Sequence, residues 1–225
     1  MTLPPLSDNE SHTLTEKVFD ALKEAILSMD IKPREHLIIG DVAKHYGISR
    51  TPVREALIML EQEGWVESDG RRGAQVTTPS VKTIMELIEI QGVLEGYVAR
   101  KAIERMTAAD LERAEAILND ADEAIKAGNE QRSRELGGDF HKFLAERAGN
   151  RRLLKIIKSI EEQVDRIRPL IWRHGAAPVE QSAQHHRAIL NAIIAGDAAK
   201  ATEIMFHHTV WFEEELAAKL EQVLG

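Results

Sequence analysis

The chain has no cysteine among its 225 residues, which excludes a disulfide framework and a thiolate zinc knuckle and suits an intracellular setting. It has no excess of positive charge either. Its formal net charge is −8, and residues 1 to 79 carry nine Lys/Arg against thirteen Asp/Glu, so bulk electrostatics do not favour nonspecific nucleic-acid binding. No apolar run approaches the ~20 residues that cross a bilayer, and the first thirty residues lack a basic-then-apolar leader pattern. A cytoplasmic protein with no membrane partner is expected. Also missing are a phosphate-binding glycine loop, a Gly-x-Ser-x-Gly elbow and a His-Glu-x-x-His pair, which removes several signatures of nucleotide-binding and hydrolytic sites. The length accommodates two modest domains.

What is present starts with Ser49-Arg50-Thr51-Pro52-Val53-Arg54-Glu55-Ala56-Leu57. Ser49 reads as a helix N-cap, and Pro52 falls in the first turn, where its missing N–H is not needed. Arg50 and Arg54, four apart, stack on one face, while Val53, Leu57 and Leu60 fall on another. A first turn carrying two guanidinium groups can set them on guanine edges and phosphates in a major groove. An ordinary amphipathic helix with solvated arginines is the alternative at this point. The stretch from Lys32 through Arg54 is locally basic, with five Lys/Arg against Glu35 and Asp41, and such a face binds phosphate where the whole region would not.

The surroundings decide between these readings. Residues 1–12 are polar and aperiodic, a flexible arm. A helix follows over residues 13–28, opened by a Thr13/Glu16 capping box. A short helix over residues 40–46 ends at Gly47, and the turn Gly47-Ile48-Ser49 leads into the arginine helix, which makes a helix-turn-helix. Trp65-Val66-Glu67-Ser68 and Ala74-Gln75-Val76-Thr77 then alternate about a tip carrying Arg71 and Arg72, a β-hairpin that serves as a wing. Residues 13–78 therefore read as a winged helix-turn-helix DNA-binding domain.

Residues 79–225 read as helix throughout, interrupted at Thr107, Gly128, Gly149-Asn150, Gly175-Ala176-Ala177-Pro178 and Gly196-Asp197. The fold class is mainly α, an N-terminal winged helix-turn-helix followed by an antiparallel all-helical bundle of about six helices, spanning residues 81–103, 107–128, 130–148, 153–172, 179–195 and 197–224. The last two helices form a hairpin about Gly196. His186 lies ten residues before that glycine and His208 twelve after it, so at 1.5 Å per residue they stand at similar height. With His141 behind Phe140 on a third helix, they suit a divalent transition metal, zinc or nickel. A cavity whose neutral histidines hydrogen-bond a ligand directly is the alternative. Three histidines with an open position are also the inner shell of a hydrolytic zinc site, but no general base pairs with them by sequence, and an enzyme is not expected.

These residues resemble bacterial GntR-type transcription regulators of the FCD subfamily over nearly the whole chain. The resemblance rests on the Ser49 to Leu57 motif, on Leu60-Glu61-Gln62-Glu63-Gly64 and on Arg72-Gly73-Ala74-Gln75-Val76. In the second half it rests on Phe140-His141 with Ala148-Gly149-Asn150, on His186-Arg187-Ala188-Ile189-Leu190 with Ala195-Gly196-Asp197, and on Met205 with His208. It implies a homodimer on a near-palindromic double-stranded operator, with Arg50, Arg54 and Thr51 in the major groove, Ser49 heading the same turn, and Arg71 and Arg72 on the wing. Where the family often carries an arginine, this chain has Gly40, which implies one contact fewer.

The same resemblance implies that residues 79–225 bind a small effector, typically a carboxylate, and dimerise. Metal-binding members have an aspartate at the position of Gly137, so His141, His186 and His208 would be completed by water, Asp139 or the effector. Asp139 lies about 200° around the helix from His141 and is poorly placed to share a ligand face. Gln91 stands where an effector-gripping arginine is expected. Gln91 and Glu95, four apart, are the candidate effector-binding pair, and Arg100, Arg166, Arg168 and Arg173 are candidate anion partners. A metal-free pocket for a non-carboxylate ligand stays open as the alternative.

Overall fold

The computed structural model describes residues 3–9, 11–70, 72–78, 80–165 and 178–224, with side chains described as far as Trp211. The chain divides into two compact units, Met1–Ser80 and Val81–Gly225. In the first, α1 (Leu14–Leu27) opens with the expected box: the Thr13 hydroxyl accepts from the Glu16 N–H, and the Glu16 carboxylate accepts from the Thr13 N–H. Helix α2 (Ile39–Tyr46) ends where Gly47 adopts a left-handed φ of 65°, and α3 (Arg50–Gln62) follows. Ser49 sits at the N-cap position of α3 with extended backbone, yet its side chain makes no capping hydrogen bond. The capping role read from sequence is therefore positional only.

One strand escapes the sequence pattern. β1 (His36–Ile38) joins β2 (Val66–Ser68) and β3 (Gly73–Val76) in a three-stranded antiparallel sheet of order β1-β3-β2, with His36 opposite Gln75 and Val66 opposite Val76. The wing is thus a sheet rather than a free hairpin, because three residues after Pro33 find ladder partners that no local periodicity announces. Trp65, Leu22, Leu37, Leu60 and Ile31 are fully buried and make the centre of this unit.

The second unit contains six helices among the described residues: α4 (Val81–Arg105), α5 (Ala108–Lys126), α6 (Glu130–Arg147), α7 (Arg151–Asp165), α8 (Val179–Ile194) and α9 (Ala198–Leu224). Thr107 and Asp110 form the second capping box at the head of α5. The expected continuation of α7 to Trp172 lies outside the described residues. Phe140, Leu118, Leu144, Ile189 and Leu190 centre the bundle core. α4 packs closely on α9 because Gly92 and Gly96 carry no side chain; a Cβ at either would stand 3.2 Å from Phe206 or Thr202. Among the described residues, no helix is long and apolar enough to cross a membrane.

Candidate nucleic-acid interface and metal centre

Helix α3 divides its residues as the spacing requires. Pro52, Val53, Ala56, Leu57 and Leu60 are buried, whereas Ser49, Arg50, Thr51 and Arg54 are exposed together around its first turn. Among the described residues none forms an ion pair with Arg50 or Arg54, so both guanidinium groups are available to an outside anion. Glu55, the next residue, is held away by the Thr15 hydroxyl, which donates to it at 2.7 Å. Gly40 lies beside the reading turn: a Cβ there would stand 3.8 Å from an Arg50 terminal nitrogen. That is an ordinary van der Waals contact, so position 40 adjoins the Arg50 guanidinium without crowding it. On the wing, Arg72 is exposed and its carbonyl accepts from the Ile39 N–H at 3.1 Å, which ties the hairpin to the start of α2. Arg71 lies outside the described residues.

In the helical unit, His141 from α6, His186 from α8 and His208 from α9 converge through one ring nitrogen each. Their Nε2 atoms stand 3.0 Å (141 to 186), 3.1 Å (141 to 208) and 3.1 Å (186 to 208) apart. His186 and His208 are 5% and 9% exposed. Burial, reinforced by the neighbouring histidines, pushes both imidazoles well below their ordinary value of 6.5 and keeps them neutral. Neutral imidazole is the form that ligates metal.

Behind His141 stands Glu95 on α4. Its Oε2 lies 2.9 Å from His141 Nδ1, Thr209 donates to the same oxygen at 3.2 Å, and the Gln91 amide donates to Oε1 at 2.6 Å. Burial pushes this carboxyl up, but the charge and hydrogen bond of His141, the Gln91 amide and His208 outweigh it and hold the group down at about 2. An ionised Glu95 fixes the proton of His141 on Nδ1, which leaves the Nε2 lone pair directed at the other two rings. Sequence placed Gln91 and Glu95 together and assigned both to an effector. Both residues line the cavity that opens onto the histidines, and Glu95 in addition contacts the His141 ring, a contact hidden in the sequence because Glu95 and His141 are far apart in the chain.

With His186 and His208 neutral, three Nε2 atoms standing 3.0 to 3.1 Å from one another cannot all be satisfied by hydrogen bonds among themselves. A cation fits this donor set. Two nitrogens each ~2.1 Å from one ion lie ~3.0 Å apart at octahedral angles and ~3.4 Å apart at tetrahedral ones, so the 3.0 to 3.1 Å seen matches the first and is a few tenths of an ångström short of the second. These three are also the group of potential ligands that lies within 4.8 Å among the described residues. The His186 ring occupies the space beside Gly137: a Cβ there would stand 2.8 Å from His186 Cε1, so a side chain at this position would require the ring to shift. Asp139 is exposed. That excludes it as the completing ligand.

A cavity of about 160 Å³ opens onto the histidines. Its polar wall includes Gln91, Glu95, Ser133, Arg134 and Ser182, and Ile88, Leu118 and Val179 supply apolar surface. Arg100 is a correction to the sequence reading. It is exposed, about 140° around α4 from Glu95, and does not line the cavity. The basic residue on this wall is Arg134, half-buried and paired with Glu130 at 2.9 Å. Its one sequence signal is its distance of seven residues, two helical turns, from His141. Arg166, Arg168 and Arg173 lie outside the described residues. His185 was also missed. Its Nδ1 stands 3.4 Å from His208 Nδ1 and its ring meets Trp211 edge-on at 5.1 Å.

Two families match this chain. "Bacterial regulatory proteins, gntR family" matches residues 14–76 and "FCD domain" matches residues 86–210. Among curated proteins, the uncharacterized HTH-type transcriptional regulator YdhC of Bacillus subtilis is 27% identical over 205 residues, covering 91% of each chain. The HTH-type transcriptional repressor RspR of Escherichia coli is 25% identical over 215 residues, covering 96% of this chain and 92% of that one. Among solved structures, E. coli McbR/YncC aligns over 95% of this chain and all of that chain with TM-score 0.68 at 21% identity. A GntR-type putative regulator from Rhodococcus sp. RHA1 aligns over 91% and 97% with TM-score 0.64 at 22% identity. Both likenesses concern the fold.

Proposed function

Since the chain belongs to the GntR family of DNA-binding bacterial transcription regulators, in its FCD branch, we propose that it binds a near-palindromic operator as a homodimer and responds to a small metabolite in its helical unit. It is a regulator and not an enzyme. Residues 13–78 read the operator through Arg50, Thr51 and Arg54 in the major groove, with Ser49, Arg72 and Arg71 on the flanking backbone. Residues 79–225 bind the effector and dimerise. Repression, the mode in RspR's name, is the mode we assign, with the cytoplasm as the place of action.

The convergence of the His141, His186 and His208 Nε2 atoms at 3.0 to 3.1 Å carries the sensing half of this reading. These residues would hold zinc or nickel, with Glu95 orienting His141. A bound ion supplies a Lewis-acid anchor for an anionic oxygen. Arg134 and Ser133 on the cavity wall give a carboxylate a second place to bind, which Gln91 in place of an arginine does not. A cavity of about 160 Å³ is close to the ~150 Å³ known to hold benzene, so the effector has on the order of six to ten non-hydrogen atoms. Linkage then couples the sites. An effector that binds one dimer geometry better shifts the two reading helices relative to the ~34 Å half-site repeat.

The test is elemental analysis of protein purified without a metal-affinity column, followed by operator titration with small carboxylates. Near-stoichiometric zinc or nickel and a carboxylate-dependent change in operator affinity are expected. Failure to hold or take up any metal removes the ion. The same cavity would then be read as a pocket of neutral imidazoles for an uncharged ligand.

A further inference from the structure

Arg187, the residue after His186, serves α5 rather than the histidines. Its Nε and Nη2 donate to Asp122 Oδ2 at 3.2 and 2.7 Å, and Nη2 also donates to Asn119 at 2.6 Å. Asp122 is thereby held through one oxygen, while among the described residues no hydrogen bond reaches its Oδ1. The aspartate lines the cavity that opens onto the histidines, and Leu118 and Ala121 line it from the same helix face at i, i+3 and i+4 spacing. A carboxylate has about four acceptor sites, so one held in this way keeps acceptors for what enters the cavity.

A second polar group on the wall lacks a partner. Ser133 on α6 is 6% exposed and lines the cavity, and its hydroxyl makes no hydrogen bond among the described residues, a costly state that an entering ligand relieves. Asp122 lies six residues before the turn at Gly128 and Ser133 five after it, so the α5–α6 hairpin brings them to similar height. Ser133 precedes His141 by eight residues, ~12 Å along the axis of α6, which sets this polar pair apart from the histidines.

We propose that the effector is a small ω-amino carboxylate, anchored by its carboxylate at the histidines and by its ammonium group at Asp122 Oδ1 and the Ser133 hydroxyl. An ammonium brings three donors and no acceptor, which suits an anionic oxygen and a hydroxyl that both lack a donor. A second carboxylate in the same place would meet Asp122 as a like charge, and an alkyl end would leave both groups unpaired. An α-amino acid carries its two groups on one carbon and does not span the distance between Ser133 and His141. Arg134, the basic residue on the wall, is engaged by Glu130 at 2.9 Å, and Glu161 adds a further carboxylate to the lining. The proposal rests on the carboxylate-sensing reading above and deepens it by naming the group at the other end of the ligand.

Thermal-shift and calorimetric titration of the full chain test it, with 4-aminobutyrate, 5-aminovalerate and 6-aminohexanoate set against butyrate, valerate and hexanoate and against succinate, glutarate and adipate. At least one ω-amino acid is expected to raise the thermal midpoint and to bind at least ~10-fold more tightly than its unsubstituted and dicarboxylate counterparts. D122N keeps the size of the side chain and an acceptor for Arg187, and should abolish that preference with metal content at the wild-type level. S133A should weaken the same ω-amino acid with an unchanged circular dichroism spectrum. Unsubstituted acids or dicarboxylates that bind as tightly as the ω-amino acids overturn the ammonium assignment and leave the carboxylate reading standing. A preference that survives in both variants overturns the roles of Asp122 and Ser133. No shift with any compound overturns the proposal together with the carboxylate reading on which it rests.

Discussion

The two units place their chemistry in opposite environments. Arg50, Thr51 and Arg54 are exposed on an ordinary two-helix scaffold, with no ion pair to either arginine among the described residues, whereas His141, His186 and Glu95 meet only because three helices bring them together in a buried cluster. An exposed reading surface needs the right residues at the right spacing on one element. A buried site needs the tertiary fold first, and each of its groups sets the protonation of the next. Loss should accordingly be graded in the first unit and near total in the second.

The largest effect tests that contrast directly. His186→Ala removes one of three converging nitrogens and should lower metal affinity by more than ~100-fold, beyond the ~10- to 100-fold typical of losing an outer-shell partner. Competition with a chromogenic chelator measures it. Metal retained at wild-type affinity would mean that the ring is packing and not ligand. In the reading unit, Arg54→Ala should weaken operator binding by ~1–3 kcal/mol, the worth of one bidentate base contact, and leave metal content untouched. A gel-shift titration that shows no change removes α3 from the recognition surface.

Glu95→Gln sharpens the comparison from inside the buried cluster. It keeps size and hydrogen bonding but discharges the group that holds the His141 proton on Nδ1, so metal affinity should fall ~10- to 100-fold while the thermal midpoint changes little. If affinity is unchanged and a carboxylate effector no longer acts, Glu95 belongs to the effector, as its sequence position first suggested.

The same division governs what could be read from the chain. Nearly every helix announced itself locally, through Thr13 with Glu16, Gly47, Thr107 with Asp110, and the glycines at 128, 149 and 196, because capping and chain reversal are settled within a few residues. β1 did not, since His36-Leu37-Ile38 is too short to show alternation and exists only by pairing with β3. In the site, the heights of His186 and His208 about Gly196 were legible because a hairpin is a local ruler. Glu95 and Arg134 were not, because their significance depends on which helices become neighbours. Arg100 was chosen for its charge and sequence proximity, and a rotation of about 140° around α4 from Glu95 takes it out of the cavity.

The smallest effect concerns a residue that belongs to both descriptions. Thr13 and Ser49 occupy equivalent N-cap positions, but the Thr13 hydroxyl accepts from the Glu16 N–H and the Ser49 side chain caps nothing. Thr13→Ala should cost ~0.5–2 kcal/mol of stability. Ser49→Ala should cost less than ~0.5 kcal/mol, the range of surface substitutions that break no specific contact. Chemical denaturation with matched slopes separates these values. If Ser49 contacts a phosphate at the head of α3, its replacement should still produce a measurable loss of operator affinity at unchanged stability. Equal destabilisation of the two variants would show instead that Ser49 caps α3 in solution, and would move the residue from the reading surface to the scaffold.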